Sequence, residues 1–435
     1  MSTSDADSDS VNPHYLDHVV ETAGKREVEA SEDIIASNGM KLLAKGARIA
    51  PEVRERLLQH KLAKPLEDCV RVVDGVIPEA FGPMAEELLD QHALLAALCA
   101  NERAQPVPVS LGKLRLTMPV QSLLTVYSDY QGDRLRHTVG VAMLSMALAR
   151  RLFPGDVDRH RLLAFAGLVH DVGELYIDPQ FLKRGARLQP EQWRHIVTHP
   201  VVGHRVLKNM EGAGREVAEA VLLHHERLDG FGYPRGVAGD RFTLNGQILA
   251  IAEWLMALIE SGLTPLTRAR VATQLITGEF DPALVEEVTA AAFTSDEPIN
   301  TLATPAPLDD AVPRVARIVQ TLHRFAKTRD WIDERIAAAR GERRATLEAG
   351  VQRMLRIQMA FSSTGLNAAS PEQILSELGS LQDPQLQLEV TTIVCELEWR
   401  LRELERETLQ RATRAGPEAL DEMRELIGRL LGTVG

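Results

Sequence analysis

The placement of histidine constrains this chain more than any other feature. Eight of its thirteen histidines fall between His137 and His225. One of them closes an apolar run, Leu162-Leu163-Ala164-Phe165-Ala166-Gly167-Leu168-Val169-His170-Asp171. An imidazole and a carboxylate side by side can bind one divalent metal, and the carboxylate can bridge to a second. A single His-Asp pair is weak, because a buried histidine beside an acid is the commoner arrangement. Further ligand-type residues stand near the ends of other apolar stretches: His137, His199, His224, His225 and Glu253. If those stretches are helices of one bundle, their inward faces converge, and bundle cores are where two-metal sites of histidine and carboxylate are built. Nitrogen and oxygen donors without sulfur suit iron, manganese, zinc or nickel rather than magnesium or calcium. Neighbours on a helix point about 100° apart. His224 and His225 therefore reach one metal only at a helix end, which Gly230 and Gly232 signal. His160, His195 and His204 fit no such pattern and read as surface or structural residues.

The 435 residues are enough for two or three domains with real cores. Aromatic residues are only 4%, while Ala, Leu, Glu and Arg are plentiful, which predicts a mainly α protein. The formal net charge of −12 argues against duplex DNA or RNA as a main partner, because neutralising phosphates needs a basic face. It leaves open a small phosphate ligand held by metal ions. Cys69, Cys99 and Cys395 are far apart with no CxxC spacing, so neither a disulfide framework nor a zinc knuckle is expected, and a reducing cytoplasm fits. No run of eighteen apolar residues occurs, and the Ser/Asp-rich start lacks an apolar signal core. A soluble, unsecreted chain without a membrane partner is the expectation.

In chain order, residues 1–26 are polar and acidic and read as a disordered tail. Residues 27–110 read as a small mixed α/β module followed by a helix. The module holds a hairpin around Asn38-Gly39, a helix near Pro51–His60 and a second strand pair near Val70–Ile77. His60 and Cys69 read as packing residues. The helix, at about 83–101, carries Leu88, Leu89, Leu95 and Leu98 at helical spacing. Residues 111–303 read as the domain with the metal-type residues. Its helices are expected at 119–152 with a break near Gly132, at 158–177, at 190–210, at 214–226, from Gln247 onward, and twice within 265–295. Asp133 and His137 stand one helical turn apart. Thr304–Pro313 reads as a linker. Residues 312–435 read as a helical bundle or extension. Leu386, Val390, Ile393, Leu397, Leu401 and Leu404 step by fours and threes, a seam that fits packing within the chain and a homodimer equally.

Three stretches carry a resemblance: His170-Asp171-Val172-Gly173, His199-Pro200-Val201-Val202-Gly203, and His224-His225-Glu226-Arg227-Leu228-Asp229-Gly230-Phe231-Gly232-Tyr233-Pro234. In this order and spacing they resemble the HD-GYP subgroup of the HD phosphohydrolases, over about residues 120–295. The resemblance implies an HD-type helical bundle. It implies a phosphodiesterase that cuts cyclic di-GMP to linear pGpG or GMP with a water activated by a metal pair. It implies metal ligation by His170 and Asp171, with Asp171 also catalytic as the bridge. His199, His224 and His225 would complete one metal, and His137 and Glu253 the other. Asp133 stands where family members with a third metal have an acid. Iron or manganese is the metal implied. Asp229, Gly230, Gly232, Tyr233, Pro234 and Arg235 would form a loop facing the substrate or a signalling protein partner, its glycines allowing close backbone approach. Tyr233 would stack on guanine or anchor the loop.

The chain departs from that pattern in three places. The usual lysine three residues after the aspartate is Glu174, a carboxylate that could bind metal or act as a base. An aspartate expected three residues beyond Glu253 is Met256. The usual arginine-bearing stretch that follows is Ile259-Glu260-Ser261-Gly262-Leu263-Thr264, with Arg235, Arg268 and Arg270 as nearby candidates to compensate. Three readings therefore stand: a cyclic di-GMP phosphodiesterase, a metal-holding signalling module that binds but cuts slowly or not at all, and a phosphohydrolase of another nucleotide.

Overall fold

The computed structural model describes residues 11–100, 104–130, 132–183, 189–260, 265–275, 278–294, 308–364 and 384–432. It divides into two compact units. The first holds the chain up to Arg187 together with His195–Arg227 and Tyr233–Glu260. The second holds Leu188–Arg194, Leu228–Gly232 and the chain from Ser261 onward.

In the first unit, α1 (Pro13–Ala23) corrects the expected disordered tail. Asn12 caps it, its side chain accepting from the backbone N–H groups of His14 and Tyr15 at 2.9 and 3.1 Å. Tyr15, Leu16 and Val19 are buried. Polar residues dominate this segment by count, but its few apolar ones share one face, and burial of that face holds the helix. Residues 1–10 lie outside the described set.

The strands are β1 (Val28–Ala30), β2 (Ile34–Ile35), β3 (Lys41–Leu43) and β4 (Val70–Val72). β2 and β3 form the hairpin expected around Asn38-Gly39, with Ile34 opposite Leu43. The strand pair expected near Val70–Ile77 is different. β4 pairs antiparallel with β1, Val28 opposite Val72, so its partner comes from some forty residues earlier.

The helix expected at 83–101 is two, α2 (Phe81–Gln91) and α3 (Ala93–Cys99), separated by an extended His92. Next come α4 (Met118–Tyr130), α5 (Arg134–Leu152), α6 (Val157–Val169), α7 (His199–Asn209), α8 (Arg215–Leu223) and α9 (Leu244–Glu260). α5 and α6 approach closely enough that a Cβ on Gly167 would lie 2.5 Å from the Cα of Ala142. The helix expected over 158–177 ends at Val169. His170 and Asp171 lie just past it and lead into a 3-10 turn, Val172–Tyr176. Gly173 permits this turn, since a Cβ there would sit 2.1 Å from the carbonyl oxygen of His199. The helix expected over 190–210 is broken at 197–198, and α7 restarts at His199 with Pro200 in its first turn, where a missing N–H costs nothing.

The second unit contains α10 (Pro265–Leu275), α11 (Pro282–Thr294), α12 (Leu308–Lys327), α13 (Arg329–Ala338), α14 (Gly341–Ser363), α15 (Pro384–Ala415) and α16 (Pro417–Leu431). α10 and α11, expected with the metal-type residues, belong here instead. Of the expected linker, residues 304–307 lie outside the described set, while the remainder is helical, with Pro313 inside α12. The seam on α15 is used for packing within the chain. Of its residues, Val390, Leu397 and Leu404 are buried in one apolar core with Val351 and Met354 of α14, and Ile393 and Leu401 pack partly buried against it; Val394, outside the expected seam, is buried there too. The side chain of Leu386 lies outside the described set. Among the described residues no helix is long and apolar enough to cross a membrane.

Candidate metal centre

Every metal-type residue picked from the sequence lies in the first unit, and helix ends present all of them but Glu253. His170 follows α6, His199 opens α7, His224 and His225 follow α8, His137 lies in the first turn of α5, and Glu253 lies within α9. The helix end expected to let His224 and His225 diverge is there, at Leu223.

Three of these histidines are held alike. The Nδ1 of His170 lies 2.8 Å from the Gly167 carbonyl, that of His199 2.7 Å from the Ile196 carbonyl, and that of His224 2.5 Å from the Val221 carbonyl. A carbonyl only accepts, so Nδ1 carries the proton and donates in each ring. The Nε2 lone pairs then turn inward. The Nε2 atoms of His199 and His224 lie 3.0 Å apart. Two lone pairs at that distance need a proton or a cation between them. Two nitrogens each about 2.1 Å from one ion and at right angles would be about 3.0 Å apart. The Nε2 of His170 is buried with no well-directed hydrogen bond.

Asp171 connects two groups of donors. Its Oδ1 lies 3.2 Å from His199 Nε2 and 3.4 Å from His224 Nε2. Its Oδ2 lies 3.2 Å from His170 Nε2. Glu253 extends the second group, with Oε2 at 3.3 Å from His170 Nε2 and 3.0 Å from His137 Nε2. The ligand atoms of Asp171, His199, His224 and His225 lie within 4.8 Å of one another, as do those of His137, His170 and Asp171. Each group can hold a metal ion, and Asp171 belongs to both.

The charge balance agrees with that fit. Burial alone would raise Asp171, but His170, His199 and His224 hold its carboxyl well below the usual range. Burial would lower His170, yet Asp171 and Glu253 raise it to about 10. Asp171 likewise outweighs burial to raise His199. His224 is pushed down to about 4 by burial and by its imidazole neighbours, and burial beside His224 takes His225 well below its ordinary value. The carboxylates thus draw protons onto some of the imidazoles, the places a metal would take while releasing those protons.

The other positions that the sequence raised around the centre fall in different surroundings. Asp133 is exposed at the start of α5 and belongs to neither donor group. Met256 is buried against Gly140, packing rather than binding. Glu174 is buried and paired with Arg134 and Tyr127. Burial and the charge of Asp171 push its carboxyl up to about 7, against the pull of Arg134. Sequence reasoning missed Arg134 and Tyr127, although a buried acid at 174 requires a counter-charge. It also missed Glu260, whose Oε1 lies 3.0 Å from His137 Nδ1.

The glycine-rich loop is split in its duties. In the first unit, Tyr233 stacks on His225, ring centroids 4.5 Å apart, and so anchors the loop against a donor. The Tyr233–Pro234 peptide is cis. Glu226, also missed, is fully buried and accepts from the backbone N–H groups of Arg235, Gly236 and Val237 at 2.7, 3.1 and 3.1 Å. Glu226→Ala leaves those three donors unsatisfied, at about 1–3 kcal/mol each. Faster amide exchange at residues 235–237 than in wild type is the expected result, read by hydrogen-exchange mass spectrometry. Asp229, Gly230 and Gly232 belong to the second unit. There Asp229 accepts from Arg353 at 3.0 Å and from Arg356, and Arg411 donates to the Gly230 carbonyl. These residues are engaged by helices α14 and α15.

Residues 121–281 match the family model of the HD domain. The chain is also similar to curated phosphodiesterases. Over 254 residues the chain is 26% identical to 3′3′-cGAMP-specific phosphodiesterase 3 of Vibrio cholerae, covering 56% of this chain and 53% of the relative. Over 174 residues it is 30% identical to a cyclic di-GMP phosphodiesterase of Thermotoga maritima, covering 38% and 47%. Over 153 residues it is 31% identical to a cyclic di-GMP phosphodiesterase of Pseudomonas aeruginosa, covering 34% and 36%. The chain thus spans about half, or less, of the length of these relatives. The HD-GYP resemblance read from the sequence agrees with this family and these relatives.

Proposed function

We propose that the HD domain hydrolyses a cyclic dinucleotide, with cyclic di-GMP the first substrate to test, at a pair of divalent metal ions. The observation that carries this reading is the division of Asp171: Oδ1 toward His199 and His224, Oδ2 toward His170. In this reading His199, His224 and His225 would hold one ion and His137, His170 and Glu253 the other, with Asp171 available to both. The names of the relatives support the substrate class. The donor set suits iron or manganese. Such a pair supplies an acidified water and neutralises phosphate oxygens.

The chain's own residues do the positioning. The backbone carbonyls of Gly167, Ile196 and Val221 fix the ring orientation of three donors before any ion arrives. Tyr233 closes over His225. The product would be linear pGpG, or GMP after a second cut.

A second reading, a metal-holding module that binds a nucleotide without cutting it, is favoured by one observation. Glu174 places a further carboxylate beside Asp171. One experiment separates the two. Protein purified without oxygen and loaded with iron(II) or manganese(II) is given cyclic di-GMP and, separately, 3′3′-cGAMP, and products are read by chromatography. Metal-dependent linear dinucleotide is the expected result. Intact substrate with protein shown to hold two metals per chain would overturn the hydrolytic reading in favour of the second. Turnover of 3′3′-cGAMP alone would reassign the substrate.

A further inference from the structure

We propose that Arg134 is the cation that receives a phosphate group at this centre, and that Glu174 and Tyr127 aim it. The inference rests on the reading of the centre as a phosphate-handling metal site.

Arg134 is the first residue of α5, three before His137. Its Nη1 donates to the Glu174 carboxylate and, at 3.2 Å, to the Tyr127 hydroxyl. The same nitrogen lies 4.0 Å from Asp171 Oδ2, the oxygen that faces His170. A guanidinium is thus fixed beside the bridging carboxylate. Its side chain keeps 19% of its surface, about twice that of Glu174 or Asp171, so of the three it is the one most open to a ligand.

A bland role is available, in which Arg134 merely neutralises Glu174. A counter-charge accounts for an arginine near Glu174, but one general argument and one observation point to more than that. Burying an ion pair is no cheaper than burying an apolar pair of the same size, so fold stability alone does not call for one here. And Tyr127, itself fully buried, adds a hydroxyl contact that orients the guanidinium beyond what charge balance needs. A planar guanidinium held at one edge, next to a metal-type carboxylate, matches the geometry and sign of a phosphate oxygen pair.

The probe is inorganic phosphate, titrated calorimetrically into the full-length chain loaded with manganese. Arg134→Ala is expected to weaken phosphate at least tenfold while the metal count stays at the wild-type value. Arg134→Ala can strand Glu174 as a buried unpaired charge, so a second variant, Arg134→Met with Glu174→Gln, removes the pair together. The proposal expects the same tenfold loss from this double variant. Wild-type phosphate affinity in the double variant would overturn it, leaving Arg134 as a counter-charge only. Loss of metal in the double variant would also overturn it, by making the pair part of metal retention. Wild-type protein that binds phosphate through Arg134 and leaves every cyclic dinucleotide intact keeps this inference and removes the phosphodiesterase reading.

Discussion

Alanine at Asp171 strips the centre of metal and abolishes turnover together. The carboxylate faces His170, His199 and His224 at 3.2–3.4 Å and belongs to both donor groups. Its removal leaves each group without its shared anion and leaves buried imidazoles facing one another. The expected loss in rate is at least about a thousandfold, or roughly 4 kcal/mol of transition-state stabilisation. The metal count should fall from two per chain toward zero after gel filtration in a weak chelator, measured by elemental analysis. Asp171→Asn keeps the shape and loses the charge. It should retain less metal than wild type and more than alanine, because an amide oxygen still ligates, though weakly. His195→Ala is the control, since His195 is exposed and stacks on Phe181, away from both donor groups. It should keep full metal and rate. An Asp171→Ala protein that keeps two metals would show that the donor groups are misassigned.

How much of this was legible in the sequence follows from the range of each interaction. The candidate donors His137, His170, Asp171, His199, His224, His225 and Glu253 could be picked out because chemistry restricts metal ligands to few residue types, and because most of them stand near the end of an apolar stretch. The helix end that lets His224 and His225 diverge was also legible, since glycines mark it. The break after Val169 was not. It depends on Gly173 meeting the carbonyl of His199, a contact made by tertiary packing that no local propensity reports. The helix at Pro13–Ala23 was hidden for the same reason: the segment is polar by count, and only its docked face shows why it folds. The pairing of β4 with β1 spans a separation that local patterning does not see. A counter-charge for Glu174 could have been inferred, since a buried acid demands one. The identity of its partner needed the fold. At Asp133 local spacing and the fold say different things. One-turn spacing from His137 put it beside the centre on paper, whereas it is exposed at the helix start.

Arg353→Ala should destabilise the second unit by about 3–5 kcal/mol, the usual consequence of removing one partner from a buried charge network. The Arg353 side chain is 3% exposed and reaches three carboxylates: Asp229 at 3.0 Å, Glu279 at 2.9 Å and Glu403 at 3.1 Å. Its guanidinium also lies over the Phe231 ring, 5.0 Å from the centroid. Arg400 shares Glu279 at 2.5 Å, and Arg356 shares Asp229, so the anions are only partly compensated once Arg353 is gone. Lysine is not an adequate substitute. Its ammonium is a point charge and cannot present a planar fork to carboxylates arriving from three directions. Arg353→Lys should therefore recover less than half of the loss. At about 2–4 °C per kcal/mol for a unit of this size, the alanine variant's transition should fall by about 10 °C in differential scanning calorimetry. An unchanged transition would show that the network is not formed in solution. The donors of the metal centre all lie in the first unit, so below that transition the alanine variant should hold as much metal as wild type. Loss of metal from a still-folded Arg353→Ala protein would instead mean that Asp229, lying in the chain between His225 and Tyr233, carries the state of its own unit to the donors.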